Sequence, residues 1–255
     1  MPRIPGTLRN LLAGLIDYAG LYPPACLPLA IVIERYNGFL HSPESWILNR
    51  LVLPGSVLPQ VRLLEDWHVT LLVEEEPGPL PRQIETLETK LACCLSLPTY
   101  CEAPLASIEG SFAKIRTGGL KPEMIPSPQR IAEFLAEAAR LRIPFKATAG
   151  LHHPVRSVHP LTYERDAPRA MMHGFLNVFV AAALAWRGAQ PPLLVKILEE
   201  TDPAAFRFGD DDFRWGGQVL TAAEIHAARR DFAHGFGSCS FSEPVSDLRQ
   251  LGLLP

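Results

Sequence analysis

Apolar residues recur along this chain in short runs that end on glycine or proline, and between several of those runs lies a longer stretch with apolar positions three and four apart. The first run, Ala13 to Gly20, meets Asp17 and then a Pro23-Pro24 turn, which predicts a buried strand ending in a loop. Leu27 to Phe39 has helical length and an apolar stripe. Arg50 to Gly55 reads as a strand and breaker, Val57 to Leu64 as a short helix, Trp67 to Val73 as a β-branched strand and Gln83 to Leu95 as a helix. Thr99 to Pro104 is a strand interrupted by Glu102, and a strand around Lys114 follows. Ser127 to Leu141 is the clearest helix: Ser127 stands as N-cap, Pro128 at the first position, and Ile131, Phe134, Leu135 and Ala138 form one face.

That helix leads straight into a strand around Lys146, and strand, helix, strand with both strands apolar is the pattern of a parallel crossover. Met171 to Trp186 is an apolar helix beginning at His173 with Asn177 one turn on, and Leu193 to Glu200 continues as helix. Phe206 to Asp211 is a strand, Thr221 to Ala233 a helix with Thr221 and Glu224 in capping-box spacing, Ser238 to Phe241 a last strand, and Glu243 to Leu251 a closing helix. Eight strands alternating with helices, with no Gly/Ser linker and no repeat, predict one α/β domain over residues 1–255, a single (β/α)8 TIM-type barrel. The alternative is an open doubly wound α/β sheet, favoured if the segments around Leu53 or Phe208 are not strands.

Composition narrows the partners. Hydrophobic residues make up 47% and charged residues 20% of the 255, enough for a large core. A formal net charge of −3, with no like-charged block longer than Glu74–Glu76 or Asp210–Asp212, gives no basic field for nucleic acid or an anionic membrane, so a small molecule is the expected partner, and the cationic side chains at the strand ends make it a small anionic metabolite. The five cysteines include only one close pair, Cys93-Cys94, without CxxC spacing, and read as buried thiols of a reducing compartment. Leu11 to Ile16 is too short for a secretory h-region and no run of about 18 apolar residues is present, so the expectation is a cytoplasmic protein, compatible with a homo-oligomer.

The chemistry lies at predicted strand ends, where barrels of this kind carry their reactive groups. Asp17, Glu102, Lys114, Arg116, Lys146, Thr148, His152, His153, Asp210 and Glu243 all fall at or just beyond such ends. A lysine inside an apolar strand is costly to desolvate unless something uses or compensates it. With period-two alternation Lys114 and Arg116 share a face, as do Lys146 and Thr148, and neighbouring cations in a low-dielectric cavity lower each other's proton affinity, one route to a neutral, nucleophilic amine.

The stretches Lys114-Ile115-Arg116-Thr117-Gly118 and Lys146-Ala147-Thr148-Ala149-Gly150, one crossover apart, resemble the two-lysine pattern of the deoxyribose-phosphate aldolase group of class I aldolases over residues 113–151. The resemblance implies a barrel lyase in which Lys114 forms the Schiff base, Lys146 tunes it, and an acid, Glu102 or Asp17, moves protons. Arg116 stands where that group has a small hydroxyl residue, and His152-His153 where its phosphate-binding glycine region continues.

Arg116, Thr117, Gly118, Gly119 and Thr148 are candidate substrate contacts, with Arg156 and the helix start near Gly174 as further anion donors. His152, His153, His173, Asn177, Cys239, Ser240 and Glu243 complete the candidate binding set. The leading expectation is thus an aldolase-like lyase acting on an anionic carbonyl compound in a cationic pocket, without a cofactor. A second is a metal-dependent hydrolase, lyase or isomerase with a divalent ion at His152 and His153, helped by Asp17, Glu102 or His173. A third is a non-catalytic ligand-binding or assembly barrel.

Overall fold

Every second residue of the short parallel strands points inward, and the strands close into a ring. In the computed structural model, residues 3–90 and 95–255 are described. Seven strands follow one another in the chain: β1 (Ile16–Tyr18), β2 (Leu48–Pro54), β3 (Val69–Leu72), β4 (Ile84–Thr89), β5 (Thr99–Cys101), β6 (Phe112–Arg116) and β7 (Phe145–Thr148). An outlying hairpin, β8 (Ser157–Pro160) and β9 (Arg169–Met172), and a three-stranded antiparallel sheet, β10 (Arg207–Phe208), β11 (Asp212–Trp215) and β12 (Gln218–Thr221), intervene before β13 (Ala233–Ser238). β13 pairs in parallel with both β7 and β1 and completes a closed eight-stranded barrel, the (β/α)8 architecture.

The helices are α1 (Gly6–Leu12), α2 (Leu29–Leu40), α3 (Pro128–Leu141), α4 (Phe175–Trp186), α5 (Pro191–Leu198), α6 (Ala222–Asp231) and α7 (Ser242–Gln250). Local chemistry sets their ends. The Ser127 hydroxyl accepts from the Arg130 amide to start α3, which stops at Arg142 in a left-handed conformation, φ 56°. Thr221 and Glu224 form a reciprocal capping box on α6. All but the last residue of α4 are buried, because the helix lies between the barrel and α3, α5 and α6. Its Phe175 and Phe179 meet Phe145 and Phe236 on the outer faces of β7 and β13, and each fully buried ring is worth about 1.5–3 kcal/mol over exposure.

The expected strand pattern changes in three places. The described part of the expected Gln83 to Leu95 helix is not helical: Ile84–Thr89 is barrel strand β4, a register irregularity opposite Val69 and Thr70 breaks its alternation, and residues 91–94 lie outside the described residues. Phe206 to Asp211 is not a barrel strand; only Arg207–Phe208 extends, in the outlying sheet, where the Asp210 carboxylate accepts from the Gly6 amide and the Gly209 carbonyl from Thr7. These two differences cancel, which is why the count of eight survives. The last strand is Ala233–Ser238, so Cys239, Ser240 and Phe241 follow it instead of forming it.

The helical layer is also uneven. Among the described residues no α-helix lies between β2 and β6; there the expected helix at Val57 to Leu64 is a 3-10 segment, Gly55–Gln60, and Val57, Leu58, Val61 and Leu63 cover the barrel from loops. Met171 and Met172 belong to β9, so α4 begins later than expected. Cys93 and Cys94 lie outside the described residues; Cys101 and Cys239 are buried, but Cys26 is exposed. No helix among the described residues is long and apolar enough to cross a membrane.

Candidate active site

β1, β4 and β7 are not neighbours in the barrel, so any contact among them runs through its interior. Such a contact exists: the Lys146 ammonium on β7 is paired with the carboxylates of both Asp17 on β1 and Glu88 on β4. Lys114, the register partner of Lys146 on β6, reaches the other oxygen of Glu88 at 3.3 Å and stands 3.8 Å from Glu102 Oε2. Glu102 Oε1 in turn accepts from Arg116 Nε at 2.7 Å. Three cations and three carboxylates thus form one chain from the barrel interior to its C-terminal rim, where Arg116 is half exposed.

The two lysines have different situations. Lys146 is 2% exposed and does not line the mouth cavity. Burial opposes its charge, but Asp17 and Glu88 outweigh that and hold its proton affinity above the ordinary lysine range. The expectation of a mutually lowered proton affinity is therefore overturned for Lys146, because carboxylates and not another cation are its nearest groups. Burial works likewise against the Glu88 carboxylate, yet Lys146 and Lys114 keep it ionised below the usual range. Lys114, by contrast, lies on the wall of a cavity of about 360 Å³ at the mouth.

Loops after the strands build the remaining wall. Arg116, Gly119, Thr148, His152 and Cys239 line the cavity with Lys114, while Tyr22, Pro23, Pro24, Leu120, Met124, Leu161 and Met172 give it an apolar rim. The ends of β6 and β7 are zipped together: the Thr117 hydroxyl donates to the Ala149 carbonyl at 2.6 Å and its amide to the Thr148 carbonyl at 3.0 Å. Gly118 and Gly150 cross so closely that a Cβ on Gly118 would lie 2.8 Å from the Gly150 Cα, and Gly150 has φ +80°. Two successive left-handed residues, Ala149 (φ 58°) and Gly150, turn the chain so that His152 returns to the cavity.

His152 and His153 point to different partners, as adjacent residues in extended chain do. His152 Nδ1 lies 2.9 Å from Glu243 Oε2, and His153 Nδ1 2.6 Å from Asp247 Oδ2. The His153 ring also stacks on His159, centroids 3.3 Å apart; burial, then the charge of His153, lower the His159 pKa to about 4. Among the described residues no three His, Cys, Asp or Glu side chains are grouped to hold a metal ion. Asp17 is taken by Lys146, Glu102 by Arg116 and His173 by other groups, so the mixed set imagined around His152 and His153 does not assemble.

Several candidates serve the scaffold. His173 is fully buried between the Pro126 carbonyl (2.8 Å) and Arg156 (3.2 Å), and burial lowers its pKa to about 4. The Asn177 amide donates to the carbonyls of Ile197 and Glu200 and accepts from the Arg156 amide. Neither reaches the mouth. Thr117 and Gly118 act through the strand-end zipper, and the Ser240 hydroxyl accepts from the Glu243 amide, fixing the start of α7. Cys239 does line the cavity, 3.7 Å from the Tyr163 hydroxyl, but burial raises its pKa.

Two residues were not among the candidates. Glu88 falls in the segment expected to be helical and is instead on barrel strand β4, where the broken alternation gives no clear strand pattern. Tyr22 follows the first strand, and its hydroxyl is buried without a hydrogen-bond partner among the described residues, as is Glu102 Oε2. No family model, curated protein or solved structure matches the chain.

Proposed function

We propose that the protein is an aldolase-like lyase that binds a small anionic carbonyl compound in the mouth cavity and activates it as an imine on Lys114. The fold commonly carries enzymes whose reactive groups stand at strand C-termini. One observation supports the choice of reaction: of two lysines in register on adjacent strands, one is sealed between two carboxylates and the other faces a cavity a substrate can enter. Lys114 Nζ adds to the carbonyl carbon, the carbinolamine loses water, and the product imine stores the electron demand that cleaves or forms the adjacent carbon–carbon bond. Tyr22, whose hydroxyl has no hydrogen-bond partner among the described residues, supplies a donor to the substrate oxygen as it turns into the leaving water. Burial and then Glu88 keep that hydroxyl protonated, raising its pKa above the tyrosine range. Arg116, at the rim, meets the anionic group, and the apolar wall of Leu120, Met124 and Met172 excludes water.

Borohydride reduction in the presence of a panel of aldehydes and keto acids tests the reading. The expected result is an adduct of the reduced probe on the peptide carrying Lys114, absent in Lys114→Met. An adduct-free protein across the whole panel would sink the imine mechanism.

A further inference from the structure

An imine becomes a carbon nucleophile only when the neighbouring carbon gives up a proton, and the carboxylates of Asp17 and Glu102 are occupied. Asp17 lies beneath the cavity, paired with Lys146 and accepting from the Arg50 amide. Glu102 is held by Arg116 and stands behind Lys114. Lys146 is a fixed cation.

His152 is placed differently. It shares the cavity wall with Lys114, and only its Nδ1 has a partner among the described residues, the Glu243 carboxylate at 2.9 Å. The Tyr163 hydroxyl donates to the same carboxylate oxygen at 3.2 Å, and Ser240 anchors the Glu243 backbone. A carboxylate on Nδ1 fixes the ring's orientation and tautomer, leaving Nε2 with a lone pair. Against burial, the His152 hydrogen bond keeps Glu243 ionised below the usual carboxylate range.

We infer that His152, oriented by Glu243, is the base that removes the proton from the carbon next to the Lys114 imine and later returns it. The assignment rests on the imine reading. In the step, taken from the protonated imine that loss of water leaves on Lys114, the C–H bond breaks, its electron pair becomes the enamine double bond, the C=N π electrons move to the cationic nitrogen and neutralise it, and the proton goes to His152 Nε2; the reverse step restores it, with no oxidant or reductant. The substrate must therefore be an enolisable carbonyl compound, one with hydrogen on the carbon beside the carbonyl.

The probes are pyruvate and hydroxyacetone in D2O, with exchange of the adjacent C–H followed by proton NMR and imine formation by borohydride trapping on the same samples. Wild type is expected to do both. His152→Gln is expected to trap within about twofold of wild type, showing an intact cavity, while exchange falls on the order of 100-fold. Glu243, a positioning residue, should give a smaller loss of exchange as Glu243→Gln, roughly 10-fold, with imine trapping left at the wild-type level. Undiminished exchange in His152→Gln overturns the assignment and leaves the imine standing. Loss of trapping together with exchange also overturns it, since His152 would then act before the imine or hold the cavity together. Absence of any adduct on wild type overturns the imine reading itself and this assignment with it.

Discussion

The two ends of the barrel interior are both charged, and they differ in whether the polar groups are spent. At the N-terminal end a cavity of about 500 Å³ is lined by Arg50, Arg229, Arg230, His226 and His234 together with Glu85, Tyr100 and Phe112. Its cations are claimed by the protein: the Arg229 guanidinium donates to the carbonyls of Leu11, Ala13, Gly14 and Ala233, Arg50 pairs with Glu85 at 2.9 Å, and Arg230 with Asp231. His234 Nδ1 is 2.7 Å from the Tyr100 hydroxyl. At the C-terminal mouth the Tyr22 hydroxyl is buried without a hydrogen-bond partner among the described residues, and Glu102 Oε2, also without one, has only the Lys114 ammonium at 3.8 Å. An end that satisfies itself closes the fold, whereas an end with unspent donors and acceptors is prepared for something that arrives later.

The floor beneath the mouth gives the strongest test of that division. Lys146→Met would leave Asp17 and Glu88 buried without their shared cation, and stripping one partner from a buried ion pair typically costs about 3–5 kcal/mol. Urea unfolding should show a loss of that order for Lys146→Met and a smaller one for Lys114→Met, since Glu88 then retains Lys146. Equal losses would mean that both lysines are scaffold and that the mouth is as self-contained as the opposite end.

The closed end has a pH signature of intermediate size. Burial first, then the charges of Arg229 and Arg50, lower the His234 pKa from 6.5 to about 4. A neutral buried histidine contributes nothing above its unfolded pKa; below it the unfolded chain takes up a proton that the folded one refuses, so stability falls as pH drops from about 6.5 toward 4. Since His234 keeps some exposure, the loss should be on the order of 1–2 kcal/mol, and His234→Gln should flatten that part of the curve relative to wild type. His173, buried with its pKa also lowered to about 4, adds slope in the same window and remains in the variant. A pH curve identical in the two proteins would show that His234 is solvated and that this end is less closed than its hydrogen bonds indicate.

How much of this was legible before folding follows from the same contrast. α3 and α6 could be read because their caps and apolar faces are local, and Ser127, Thr221 and Glu224 act where the sequence puts them. Lys114 and Lys146 were legible as charges out of place in apolar strands, and their register pairing is the consequence of one crossover. Glu88 was not, because Ile84 and Leu87 stand three apart, a spacing shared by a helix and a strand whose alternation is broken. Its role also depends on closure: β4 and β7 meet only across the barrel, and no local pattern reports which acid a lysine will face. His173 and Asn177 looked functional for the complementary reason, since a polar side chain at the start of an apolar helix gives no sign of whether its partner is a backbone carbonyl or a ligand.

The finest test concerns Tyr22, where stability and chemistry should move in opposite directions. Removing a hydroxyl that has a partner in the protein normally costs about 1 kcal/mol, but a buried donor without one already carries its desolvation penalty in the folded state. Tyr22→Phe should therefore leave the unfolding midpoint unchanged or raise stability by up to about 1 kcal/mol. With no donor left for the departing oxygen, borohydride trapping at Lys114 should slow, roughly 10-fold for one lost hydrogen bond of this strength. A variant that loses stability would mean that the hydroxyl is satisfied inside the fold, as the polar groups of the closed end are. A variant equal to wild type in both respects would leave the two ends of the barrel distinguished by Lys114 alone.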